Sequence, residues 1–210
     1  MPTIILASGS RYRQSLLCRL RLPFIAIAPN IDETPLPMEN PADTALRLAS
    51  EKAYALRPDH PDGLIIGSDQ VAEFSGKMLG KPKDLAEAKA QLRYLSGKVV
   101  FFHTALAVLN AEKNQLHQRL VTTVVEYRKI SEAQINTYLA REPATDSAGS
   151  TKSEGLGIVL LKKMQSDDPT AMIGLPLIAL TEILAKEGVD ALHAASALEV
   201  PQDLNSSTGY

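Results

Sequence analysis

The residues with chemistry to offer lie on four short stretches. Leu64–Pro82 reads L-I-I-G-S-D-Q-V-A-E-F-S-G-K-M-L-G-K-P. Leu64–Ile66 is short and apolar enough for a buried strand. Asp69 then falls just past its expected end, where open α/β sheets place their ligand-binding groups. Lys81 sits between Gly80 and Pro82, two backbone punctuators. One acid and one fixed cation on a tight excursion suit a site for a metal ion and a phosphate chain. A capped strand end with a surface lysine gives the same spacing. Near the start, Ser8-Gly9-Ser10 joins a β-rich run to a helical pattern, with Ser10 a good N-cap. Such a junction offers backbone N–H groups to an anion. Arg11 and Arg13 in the first helical turn oppose the helix dipole, an opposition that a bound phosphate chain would offset. Solvated arginines are the alternative. Asp32 and Glu33 lie in a loop stiffened by Pro35 and Pro37, which favours metal-ligating carboxylates over a mobile solvated pair. Asp146–Gly157 contains three glycines and four hydroxyl residues around Lys152 and Glu154, a composition that lets a backbone approach a ligand closely.

These stretches need elements to hold them. Thr3–Ala7 and Pro23–Pro29 read as strands, and Tyr12, Leu16, Leu17 and Leu20 as one helix face. Asn40-Pro41 opens a second helix, with an N-cap and a proline at the first position. Ala45, Ala49, Ala53 and Leu56 form its apolar face. Lys52 borders that face, so it either snorkels to water or points into a cleft. Ser75-Gly76-Lys77 predicts a hairpin turn, and Asp84 caps a helix with Leu85, Ala88, Leu92 and Leu95 on one stripe. Val99–Leu109 and Leu116–Tyr127 read as an antiparallel pair. Ser131 and Gln134 form a capping box for a helix to about Arg141. A strand is expected at Ile158–Leu161, and a last helix runs from Gly174-Leu175-Pro176 to Gly188. Residues 189–210 lack a strong period and read as a C-terminal tail, mobile at its end.

With 210 residues, the chain is long enough for one domain or two lobes sharing a cleft. A net charge of −2 gives no bulk attraction to nucleic acid or to membrane surfaces, so any anion site is local. A single cysteine, Cys18, excludes an internal disulfide. The start lacks a secretory pattern, and Val99–Leu109, the longest apolar stretch, is too short to span a bilayer. A cytoplasmic protein is expected. The four histidines show no ligand spacing.

Taken in order, I-L-A-S-G-S at Ile5–Ser10, D-E-T-P at Asp32–Pro35, E-K-A at Glu51–Ala53, G-S-D-Q-V at Gly67–Val71, L-G-K-P at Leu79–Pro82, L-S-G at Leu95–Gly97, A-G-S at Ala148–Ser150 and G-L-P-L at Gly174–Leu177 resemble the Maf family of nucleotide pyrophosphatases. The resemblance covers about Ile4 to Lys186. It implies an α/β fold, a two-lobed mixed sheet with flanking helices and a central nucleotide cleft, with residues 1–188 as a single domain. It implies hydrolysis of a nucleoside triphosphate between the α and β phosphates, with a divalent metal cation such as Mg or Mn. By matching positions, Asp69 would be the catalytic acid and a metal ligand, and Glu33 a second metal-side carboxylate. Ser8, Arg13, Lys52 and Lys81 would hold the phosphates. No nucleic-acid or membrane partner is implied, and a homodimer is compatible with it.

The sequence departs from the usual family opening Ser-Pro-Arg-Arg, with Ser10-Arg11-Tyr12-Arg13 in its place. Gln70 replaces the commoner Thr, and the late loop carries Lys152-Ser153-Glu154. Tyr12, Gln70 and Glu154 therefore resemble the branch that acts on 7-methyl-GTP. An aromatic face at Tyr12 would attract a positively charged methylated base, and Glu154 could accept hydrogen bonds from the guanine N1–H and exocyclic amine. The family also implies two other readings: a pyrophosphatase for dTTP or UTP, and a non-catalytic inhibitor of cell division.

Overall fold

The computed structural model describes residues 2–196. One mixed sheet of seven strands organises them. Strand β1 (Ile4–Ala7) lies between β2 (Ile25–Ile27) and β3 (Leu64–Phe74), parallel to both. Strands β5 (Val99–Asn110), β6 (Gln115–Tyr127) and β7 (Leu161–Gln165) extend the sheet with antiparallel pairings, in the order β2-β1-β3-β5-β6-β7. The short β4 (Lys77–Leu79) folds back on the end of β3. Ser75 and Gly76 form the connecting turn, with φ of 52° and 75°. Two successive positive φ values are what a type I′ hairpin requires, which explains the glycine.

The helices start where the sequence places caps. Ser10, Asn40, Asp84 and Ser131 each accept a backbone N–H at the head of α1 (Arg11–Cys18), α2 (Pro41–Ala55), α3 (Leu85–Leu95) and α4 (Glu132–Arg141). The capping box at Ser131 and Gln134 is complete. Helix α5 (Leu177–Lys186) begins after Pro176, which offers no side-chain cap. The buried Asp168 takes that role from outside, accepting from the N–H groups of Ile178 at 2.7 Å and Ala179 at 3.3 Å.

Strand alternation sorts the core onto two faces. Ile4, Leu6, Leu64, Ile66, Leu106 and Val108 point to one face and pack with α1 and α5. Ile5, Ala7, Ile65, Ala105 and Ala107 point to the other, against the alanine stripe of α2. Farther along the sheet, Val100, Phe102, Val125 and Tyr127 pack with α3 and α4.

Three local expectations change, and the alternative left open for Lys52 is decided. Strand β3 does not end at Ile66; it runs eleven residues and pairs with β5 from Leu64 to Glu73. Asp69 is therefore inside a strand rather than past its end. What ends near Ile66 is the parallel partner, since β1 pairs only as far as Leu6 with Ile66 and β4 begins pairing at Ala72. Residues 67–71 are left with one edge open, and the cleft forms there. Lys52 does not snorkel outward; it is 5% exposed and points into that cleft. The strand expected at Ile158–Leu161 is a 3-10 turn over Leu156–Leu160, and β7 starts only at Leu161, the last residue of the expected strand. Gly157 allows the tight turn, because a side chain there would run into the backbone of Lys152. In the terminal segment, Val189 belongs to the core and Ala191–Ser196 forms α6. The mobile end expected beyond residue 196 lies outside the described residues.

Candidate active site

The cleft has a volume of about 780 Å³, and all nine residues singled out above line it: Ser8, Tyr12, Arg13, Glu33, Lys52, Asp69, Gln70, Lys81 and Glu154. They come from the β1–α1 junction, the loop before α2, α2 itself, the open edge of β3, the loop after β4 and the late loop.

Its centre is set by helix packing. Gly67 has no side chain because one would collide with the backbone of α2 at Ala49. Lys52 lies one helical turn beyond Ala49, and Asp69 is the next residue on the same face of β3 after Gly67. The two side chains therefore meet: Lys52 Nζ is 2.6 Å from Asp69 Oδ1 and 2.8 Å from Glu33 Oε1. Burial would raise the Glu33 carboxyl, but Lys52, then Lys81 and Arg13, bring it below its ordinary value. Lys52, which the resemblance assigns to the phosphates, joins the two carboxylates in this structure.

The opposite face of β3 carries Ser68 and Gln70, and it grips a 3-10 turn over Ala171–Ile173. Gln70 Nε2 donates to the carbonyls of Ala171 and Met172, both at 3.0 Å. Thr104 donates to Ala171 at 2.9 Å. The fully buried Ser68 hydroxyl lies 2.9 Å from the Gly174 carbonyl. That same carbonyl accepts from Arg13 Nε at 2.8 Å. Gly174, with φ of 118°, turns its carbonyl to where both donors reach. Arg13 Nη1 also lies 3.5 Å from the Ser8 hydroxyl. Burial lowers the Arg13 guanidinium, and Asp69 and Glu33 oppose that shift. The sequence reading gives Ser68, Thr104 and Gly174 no site role, although Ser68 and Gly174 stand in the motifs quoted above. A hydroxyl inside a hydrophobic strand was the available signal for the first two.

At the rim, the Tyr12 hydroxyl donates to Asp146 Oδ2 at 3.3 Å, and Lys152 Nζ lies 2.8 Å from Asp146 Oδ1. The Lys152 ammonium also stands 5.7 Å from the centre of the Tyr12 ring. One aromatic face is thus already shared with a cation. Asp146 and Tyr12 hold the Lys152 ammonium above its ordinary value against the lowering effect of burial. The Glu154 carboxyl is pushed up by burial, and further by the negative charges of Glu142 and Asp146. His103 and His117 pair with Glu73 and Glu187 away from the cleft.

A family model described as Maf-like protein matches residues 3–187. A 7-methyl-GTP pyrophosphatase of Thiobacillus denitrificans is 56% identical over 191 residues, covering 91% of this chain and 95% of that protein. One from Bordetella avium is 53% identical over 195 residues, covering 93% and 98%. One from Chromobacterium violaceum is 51% identical over 190 residues, covering 90% and 98%. The match takes in every element from β1 to α5 and every residue of the cleft, and on that ground this chain belongs to the Maf family.

Proposed function

We propose that the chain is a nucleoside triphosphate pyrophosphatase that hydrolyses 7-methyl-GTP to 7-methyl-GMP and diphosphate. The observation that carries the chemistry is the convergence of Asp69, Glu33, Lys52, Arg13 and Lys81 on one cleft. The similarity to relatives bearing the 7-methyl-GTP name supports the choice of base. In this reading Asp69 orients a water for attack and takes its proton. The bond between the α-phosphorus and the bridging oxygen breaks, and diphosphate leaves. Arg13, backed by Ser8, and Lys81 neutralise the charge that builds on the phosphate oxygens. Positioning and charge neutralisation are most of what phosphoryl transfer asks of a protein. Glu154 receives the guanine N–H donors and Tyr12 the methylated ring. Cys18, single and exposed, accords with a reducing cytoplasmic setting. No helix among the described residues is long and apolar enough to cross a membrane.

Glu33 and Asp69 offer hard carboxylate oxygens of the type Mg²⁺ or Mn²⁺ takes. Lys52, however, already holds one oxygen of each. Among the described residues no group of three or more His, Cys, Asp or Glu is placed to hold a metal. The donor set does not fit a resident ion, so the divalent cation enters this reading as part of the nucleotide substrate.

A product assay over 7-methyl-GTP, GTP, UTP and dTTP tests the proposal. Fastest turnover of 7-methyl-GTP is expected, with diphosphate rather than orthophosphate released. Asp69→Asn is expected to lower kcat by about 10²–10⁴-fold, the range for losing a general base. Faster UTP or dTTP turnover would replace the substrate, and an inert protein would favour a non-catalytic role.

A further inference from the structure

The place between Glu33 and Asp69 is occupied by a cation that belongs to the protein. Lys52 is 5% exposed, and its stem is confined because α2 packs its backbone on Gly67. Its ammonium sits 2.6 Å and 2.8 Å from the two carboxylate oxygens. A divalent ion taking those oxygens would bond at roughly 2.0–2.1 Å, which leaves it close beside the ammonium. Arg13 and Lys81 line the same cleft and add positive charge near the same carboxylates. At the Asp69 end that repulsion is little screened, since the Lys52 and Asp69 side chains are 6% and 10% exposed, whereas Glu33 faces solvent at 57%. A triphosphate does relieve it, because its oxygens can complete the coordination of the metal and also receive the displaced ammonium.

We infer that Lys52 is a resident counter-cation that keeps divalent metal out of the empty cleft, so that metal is admitted only together with the nucleotide. Lys52 then has two successive partners, the carboxylates before binding and a phosphate oxygen after it. The inference rests on the triphosphate reading for its second half only; the exclusion of metal follows from the protein's own charges.

The test is Mn²⁺ binding to the full chain, followed by loss of the free-ion electron paramagnetic resonance signal. Wild type with Mn²⁺ alone should leave the signal unchanged. Adding a non-hydrolysable α,β-methylene analogue of GTP should then quench it beyond what the analogue does without protein. Lys52→Met should bind Mn²⁺ with no nucleotide, at least tenfold more tightly than wild type. Binding of Mn²⁺ alone by wild type overturns the inference. So does equal affinity in a folded Lys52→Met, checked by circular dichroism. If that variant does not fold, the two wild-type arms decide alone. Failure of the pyrophosphatase reading has its own signature, absence of diphosphate release from every nucleotide, and leaves the arm with Mn²⁺ alone intact.

Discussion

The ammonium of Lys52 lies 2.6 Å from Oδ1 of Asp69, and the contact exists because helix α2 rests directly on the strand at Gly67. Residue 67 needs to be glycine for steric reasons, not conformational ones, since it sits in regular strand between Ile66 and Ser68. One missing methyl sets the distance between helix and sheet, and that distance sets the charge pair.

Gly67→Ala should therefore act at both levels. The new methyl must push against the Ala49 backbone, an overpacking that typically costs about 1–3 kcal/mol. Urea unfolding should show that loss. Diphosphate release should fall too, because a lifted α2 draws Lys52 away from Asp69. Normal kinetics in a destabilised protein would show that the helix spacing matters only for folding.

Gln70 is expected to work through the turn it holds. Gln70→Ala removes the amide that donates to Ala171 and Met172. Ala171 keeps its bond from Thr104, but the Met172 carbonyl loses the bond from Gln70. That penalty is about 1–3 kcal/mol, or roughly tenfold or more in an equilibrium. The turn carries Gly174, whose carbonyl orients Arg13, so KM for the nucleotide should rise by about that factor. A change confined to base preference would instead place Gln70 against the base itself.

Acid should loosen the loop that bears Glu33. Glu39 binds Arg47 at 2.7 Å and Thr44 at 2.9 Å, and Arg47 reaches the Thr34 carbonyl at 3.2 Å. Arg47 holds the Glu39 carboxyl down at about 2, against an ordinary 4.5. A depressed carboxyl stabilises fully above the unfolded value and loses that contribution as pH falls through the folded one. The window is therefore about 4.5 down to about 2. An acid titration followed by circular dichroism should be flatter across it for Glu39→Gln than for wild type, and the variant should be the less stable at neutral pH.

Glu154→Gln should weaken guanine selection. A charge-assisted hydrogen bond is worth about 1.5–3 kcal/mol, so kcat/KM for 7-methyl-GTP should drop by about 10–100-fold while UTP turnover stays level. Because the Glu154 carboxyl is raised, it protonates at higher pH than an ordinary glutamate. The preference of wild type for 7-methyl-GTP should accordingly fade as pH is lowered, before other carboxylates titrate. A pH-independent preference would remove Glu154 from base recognition.

Much of the scaffold was legible because its signals are local. Caps at Ser10, Asn40, Asp84 and Ser131 name helix starts through side chains three residues from the backbone they satisfy. The turn at Ser75-Gly76 and the paired runs of β5 and β6 are equally short-range. Asp69 was misplaced at a strand end because Gly67 and Ser68 look like loop residues in one dimension. One is small to admit a helix, and the other is polar to bind Gly174. Neither reason exists until distant segments pack. The expected strand at Ile158–Leu161 failed similarly: Gly157 closes a turn onto Lys152 that periodicity does not reveal.

By itself the sequence, through its short motifs and the family they resemble, named nine residues that all line the cleft. Only the tertiary structure decided how they are paired. Whether Lys52 meets water, phosphate or carboxylate depends on the spacing of α2 from β3, and whether Gln70 faces a base or a backbone turn depends on where residues 171–174 pass. Those are contacts across 17 and 102 positions of chain. Electrostatic and hydrogen-bond energies depend on distances of a few ångströms that no local pattern encodes.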